Sequence, residues 1–264
     1  GAVNSPQILQ LSGLGPGALL QRHGIAVQRD MPAVGANLQD HLQLRCAWRL
    51  ERGKTLNTLA NSLLGKAKIG LEYALKRSGP MSMAPSQLGA FARSRPDLAT
   101  PDLEYHVQPL TLEAFGQPLH DFPGLTASVC NLRPESRGTV QITSDDPSQA
   151  PAIAPHYLST EGDRQVAVAA IRQARQIMAQ PAMQGYGPQE MKPGGASDAV
   201  EDLAKAAGEI GTTIFHPTCT VHMGAEDTAP LDAELRLRGI KGLRVADASA
   251  MPTIPSGNTN APSI

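Results

Sequence analysis

The 264-residue chain is 41% hydrophobic and 18% charged, enough apolar material for a packed core, with no run long enough to span a bilayer. A net charge of -1, with Lys and Arg scattered and aromatic residues at only 3%, argues against a polyanion-binding surface. Its 25 glycines and 22 prolines exceed the average combined usage of about 12%, so loops should make up much of the fold. Length alone suits one large or two ordinary domains. The cysteines Cys46, Cys130 and Cys219 are odd in number and far apart, which fits a reducing compartment rather than a disulfide framework.

In chain order, Ser5 reads as an N-cap with Pro6 at the first helical position, and Ile8, Leu9 and Leu11 make a short helix ended by Ser12 and Gly13. Residues 17–23 form a second short helix stopped at Gly24. The Gly-rich stretch 13–17 reads as a turn, because Pro16 stands where a donating amide would be wanted. Asp40 and His41 close a turn at 37–41, held by side-chain hydrogen bonds or else facing a ligand.

Residues 42–50 alternate Leu42, Leu44, Cys46, Trp48 and Leu50 with Gln43, Arg45, Ala47 and Arg49, a strand buried on one face. Residues 56–76 show helical spacing, and Lys66, Lys68, Lys76 and Arg77 read as a solvated face. Met81 and Met83, in the stretch 81–85, shape either an apolar site or the core. A half-buried strand follows at 103–107, with His106 on its polar side. Residues 125–132 and 139–143 predict two strands joined across 133–138 as an antiparallel pair. His156 reads as a loop residue. An amphipathic helix is expected over 163–178 and a shorter one over 198–207, capped by Ser197.

The chemistry concentrates in the last fifty residues. They contain His216-Pro217-Thr218-Cys219-Thr220-Val221-His222-Met223-Gly224, then Leu243-Arg244-Val245-Ala246-Asp247-Ala248-Ser249-Ala250-Met251-Pro252, then Gly257-Asn258-Thr259-Asn260-Ala261-Pro262. The small residues after the short apolar run at 243–245 would let backbone amides approach a ligand. Two further motifs stand near the start, one over residues 1–15 and Val34-Gly35-Ala36-Asn37-Leu38-Gln39-Asp40-His41.

These five motifs, in this order, resemble the glucose-methanol-choline (GMC) family of FAD-dependent alcohol oxidoreductases, and the resemblance covers the whole chain. It implies a mixed α/β fold, a partial Rossmann-type FAD-binding domain plus an antiparallel-sheet substrate domain with helices. Residues 1–41 and 210–264 would belong to the flavin domain and 42–209 to the substrate domain. The second family signature lies mid-chain in members, and no Gly-x-Gly-x-x-Gly turn is present, so the chain looks like the C-terminal half of a longer protein. By family position His216 is the general base, Asn258 its partner on the substrate oxygen, and Ala2, Asp247, Ala248, Asn258 and Thr259 contact FAD.

The resemblance implies oxidation of a primary alcohol, choline-like or other, to an aldehyde, with oxygen, a quinone or another carrier taking the electrons. Few aromatic residues are present to cage a quaternary ammonium. The expected location is cytoplasmic or peripheral to the inner membrane. Two departures stand out: His222 occupies a usually basic family position, and the chain stops before the family's C-terminal helix. Two other readings stay open. One is a substrate-domain scaffold inactive by itself. The other is a metal site, because His216, Cys219 and His222 have His-x-x-Cys-x-x-His spacing, although a closed zinc site needs a fourth ligand, for which Glu226 and Asp227 are the nearby candidates.

Overall fold

The computed structural model describes residues 1–84, 86–114, 116–195 and 197–264, so Pro85 of the Met81 stretch lies outside the described residues. In chain order the elements are α1 (Asn4–Leu11), β1 (Leu14–Gly15), α2 (Gly17–Arg22), β2 (Arg29–Asp30), β3 (Leu42–Leu50), α3 (Leu56–Leu59), α4 (Leu63–Lys76), β4 (Leu88–Ala92), β5 (Leu103–Gln108) and β6 (Gly124–Asn131). They continue as β7 (Thr139–Gln141), β8 (Ala152–Ala154), α5 (Glu161–Met178), α6 (Pro181–Gln184), β9 (Pro188–Lys192), α7 (Val200–Ile210), β10 (Gly211–Thr213) and α8 (Asn260–Ser263). This is a mixed α/β fold with an antiparallel sheet. The chain forms two units, one of residues 1–41, 132–163 and 213–264, the other of 42–131 and 164–212. The sequence predicts one unbroken segment from 42 to 209, whereas 132–163 packs with the chain's two ends.

The second unit is built on the sheet β10-β3-β6-β5-β4, with β9 also paired to β3. β3, β6, β5 and β4 run antiparallel to their neighbours. β3 was expected to bury one face. It buries both, since Gln43, Arg45 and Ala47 are as enclosed as Leu44, Cys46 and Trp48. α7 packs against β3, and a strand covered by packed elements on its faces loses the period-two exposure that alternation predicts. α5 turns Val168, Ile171 and Ala174 inward, and the Tyr105 hydroxyl on β5 donates to the Ala170 carbonyl at 3.2 Å. Arg175 grips Glu190 of β9 through two nitrogens, each 3.0 Å from a carboxylate oxygen.

Two sequence expectations fail here for local reasons. The helix predicted over 56–76 is broken after Leu59, and Ser62 caps a fresh start by accepting from the Gly65 amide at 3.0 Å. α7 begins at Val200 rather than Asp198, because Ser197 accepts from Ala199 and donates to Asp202 instead of capping the first turn.

In the first unit the expected antiparallel pair across 133–138 does not form. β6 pairs with β3 and β5, while β7 pairs with β8. β6 has no edge left for β7, since β3 and β5 occupy both, and the amides of Glu135 and Ser136 in the connection are held by Asp163 at 2.9 and 2.8 Å. α1 starts at Asn4, and Ser5, expected as its cap, instead donates to Asp247. Buried Gln10 binds the Val34 and Val140 carbonyls and the Ile142 amide, so one side chain ties α1 to the loop at 34 and to the strand at 140. Gly35, at φ +84°, permits this approach, as a Cβ there would lie 2.2 Å from the Val140 oxygen. The Gly-rich stretch, expected as a turn, instead holds β1, paired in parallel with β2, and its Gly17 opens α2 with the amide held by Asp30 at 2.8 Å.

Candidate active site

The segment 216–223 is the strut of the first unit. Thr218 exchanges amide hydrogen bonds with Gln39, at 2.9 and 3.2 Å. On the other side, the amides of Cys219, Val221 and Met223 donate to the carbonyls of Ala248, Ser249 and Ala250, at 3.1, 2.9 and 2.9 Å. The Gly35 amide and the Thr220 hydroxyl close the third side, the latter donating to the Ala2 carbonyl at 2.7 Å. Three stretches remote in sequence therefore meet on one extended segment. Positive φ at Phe215 and Cys219 lets the chain bend sharply on either side of His216.

Asp40 fixes where His216 stands. One carboxylate oxygen accepts the His216 amide at 2.9 Å, and the other accepts the hydroxyls of Thr213, at 2.5 Å, and Tyr157. Burial, followed by the Asp40 charge, pushes the Tyr157 phenol well above its ordinary range, so it remains a donor. His41, fully buried, lies with its Nδ1 3.0 Å from His216 Nδ1, the rings edge to face.

The contacts of this pair suit one arrangement of its protons. His41 Nε2 faces the Leu132 carbonyl at 3.3 Å, and a carbonyl only accepts, so His41 carries its hydrogen on Nε2. A neutral His41 of this tautomer would present a lone pair at Nδ1, to which His216 would donate from its own Nδ1. A neutral imidazole that donates from Nδ1 holds a lone pair on Nε2, the form required of a base.

Asp247, expected at the flavin, accepts the Ser5 hydroxyl at 2.5 Å and the Ser249 amide at 2.7 Å, capping the turn 248–250 and linking it to α1. Burial raises its carboxyl, yet these hydrogen bonds outweigh that and hold it below the usual range. Ala2 is buried, and the Ala248 carbonyl is bonded to Cys219. Asn258 is exposed and its side chain forms no hydrogen bond among the described residues, so the structure does not join it to His216. Thr259 is buried beside it.

Cys219 is fully buried, its thiol donating to the Thr218 hydroxyl, and burial raises its pKa to about 11. His222 Nε2 lies 3.6 Å from Glu226 instead. Among the described residues no group of three or more His, Cys, Asp or Glu could hold a metal ion. His156, in a left-handed conformation, faces the Arg137 carbonyl at 3.1 Å. Sequence reasoning placed Asp40 and His41 in a turn and passed over Tyr157. The Asp-His pair inside an Asn-x-x-Asp-His turn was the available signal, but nothing local says which remote residue it meets.

Two family models, both described as GMC oxidoreductase, match this chain at residues 1–43 and 134–264. The oxygen-dependent choline dehydrogenase of Photobacterium profundum is 41% identical over 266 residues, covering 100% of this chain and 47% of the relative. That of Pseudomonas putida is also 41% identical, with 100% and 46% covered. Among solved structures, a formate oxidase superposes with a TM-score of 0.88 at 28% identity, covering 98% of this chain and 50% of that one. Pyridoxine 4-oxidase from Mesorbium loti gives 0.82 at 26%, with 100% and 48% covered. The chain belongs to the GMC oxidoreductase family, whose cofactor is FAD. It spans about half the length of the curated relatives it matches.

The residues present suit one side of a flavin. The Ser249 hydroxyl is fully buried with no hydrogen-bond partner among the described residues, beside the small side chains of Ala248 and Ala250. A polar ring edge would supply the missing partner.

Proposed function

We propose that this chain carries the proton-handling half of a FAD-dependent enzyme that oxidises a primary alcohol, choline-like or similar, to an aldehyde. When bound, FAD supplies the hydride acceptor. A neutral alcohol is a poor hydride donor, so its hydroxyl proton must leave to a base. His216 takes that proton at Nε2. Its Nδ1 hydrogen stays on His216 and is donated to His41 Nδ1, and Asp40 holds its backbone in place. Asn258 hydrogen-bonds the substrate oxygen and does not titrate, leaving His216 the sole proton acceptor. Ala2, Asp247, Ala248, Asn258 and Thr259 line the flavin. The phosphate end of FAD needs donors other than the Gly-rich stretch, whose Gly17 amide already serves Asp30.

The observation that supports this reading is the 3.0 Å His41–His216 contact with the Leu132 carbonyl behind it, in which a His216 that donates from Nδ1 would keep a lone pair on Nε2. Its choline-like substrate class rests on the named relatives. In the full-length protein, His216→Ala should slow flavin reduction by choline and simple primary alcohols about 10²–10⁴-fold with FAD still bound. Unchanged reduction would remove His216 from the chemistry.

A further inference from the structure

Tyr157 stands between two residues in a conformation that side chains avoid. His156 and Leu158 have φ of +54° and +57°, in the left-handed region where a Cβ crowds the backbone. The bend is held on both sides. His156 Nδ1 faces the Arg137 carbonyl at 3.1 Å, and the Ser159 amide donates to the Ser136 hydroxyl oxygen at 3.1 Å. Strain held in this way, recurring at Phe215 (φ +64°) beside His216, marks a place where the direction of one side chain matters. What the bend aims is the Tyr157 hydroxyl, at Asp40.

Asp40 needs such a reference. A carboxylate turns broadly about the bond that carries it, so the hydrogen bond from the His216 amide, at 2.9 Å, does not by itself fix its plane. The grip of the Tyr157 and Thr213 hydroxyls on the other oxygen removes that freedom. Thr213 in turn accepts the Phe215 amide at 2.9 Å, so the carboxylate and the bend that leads to His216 share one network. Burial, followed by the Asp40 charge, keeps the phenol protonated, which makes its donation permanent. We propose that Tyr157, aided by Thr213, is a positioning residue for proton abstraction: acting through Asp40, it fixes where the His216 imidazole stands, without touching the substrate. The proposal rests on His216 being the base.

Single and combined variants of the full-length holoenzyme test it. Tyr157→Phe keeps the ring and loses only the hydroxyl. Flavin reduction by choline and simple primary alcohols at saturation should slow about 10–100-fold, the order of loss when a reacting group is misplaced by about 1 Å, while their Kd stays within about twofold. Thr213→Val removes the other grip and should slow reduction in the same direction, which keeps the test open should Tyr157→Phe not fold; Thr213→Ser restores the hydroxyl and should not. In a His216→Ala background Tyr157→Phe should slow reduction no further, since a residue that acts through His216 has nothing left to position. Hydrogen exchange reads the same link without turnover. The His216 amide should exchange about tenfold faster in Tyr157→Phe, with the amides of Val221 and Met223, bonded to Ser249 and Ala250, unchanged. Wild-type reduction in Tyr157→Phe, when His216→Ala is slow, overturns the proposal and leaves the base in place. Further slowing in the His216→Ala background, or unchanged exchange at His216, overturns it as well. If His216→Ala reduces the flavin normally, the base assignment falls and this proposal falls with it.

Discussion

The two units hold themselves together by different means. In the sheet unit, β3, β5 and β6 satisfy their backbone through ladders, and side chains such as Leu103, Val129 and Ile171 contribute by burial alone. In the unit that carries His216, the strut 216–223 is irregular, and single polar side chains do what a ladder does elsewhere. Gln10 and Asp40 each satisfy three hydrogen bonds from separate stretches. A ladder shares a loss among many neighbours, whereas a clamp concentrates it in one residue. A loop-built site can therefore be rigid, but only while a few buried polar groups remain complete.

Removing the busiest clamp should have the largest effect. Asp40→Ala leaves the Thr213 and Tyr157 hydroxyls and the His216 amide without their acceptor, a loss expected to cost about 4 kcal/mol. Denaturant unfolding measures it, and a cost under about 1 kcal/mol would mean that water replaces the carboxylate at no penalty. Next comes a direct match between the two kinds of support. Leu103→Ala, a cavity in the sheet unit, should cost about 3 kcal/mol. Gln10→Leu, nearly equal in volume, should cost about 2 kcal/mol through the unpaired Val140 and Ile142 groups. If Gln10→Leu proves neutral in the same assay, packing rather than the polar clamp holds α1.

The smallest effect concerns pH. Asp247 has a folded pKa below its ordinary value of about 3.9, so it contributes stability above that value and loses it as pH falls through the folded one. Urea midpoints measured from neutral pH down to the acid limb should therefore fall less steeply in Asp247→Asn than in the wild type. Equal slopes would mean the Ser5 and Ser249 contacts do not favour the ionised form.

The sequence by itself determined the family, through five motifs in order, and most regular elements, since α1, α2, β3, β5 and α5 announce themselves by period and caps. It also marked His216 as the place for chemistry, through its motif alone. Short edge strands such as β4 and β9 escaped because five residues with mixed exposure carry no period. The pairing of β7 with β8, rather than with β6, follows from β3 and β5 taking both edges of β6, which no local pattern reports. Only the tertiary structure brought His216 against His41. His41 lies 175 residues away and the carbonyl that orients it belongs to Leu132, a backbone group that no side-chain pattern can report. That α4 leaves Leu64, Leu71 and Leu75 exposed was equally beyond the sequence, because an amphipathic period records that two faces differ and not which of them the rest of the fold covers.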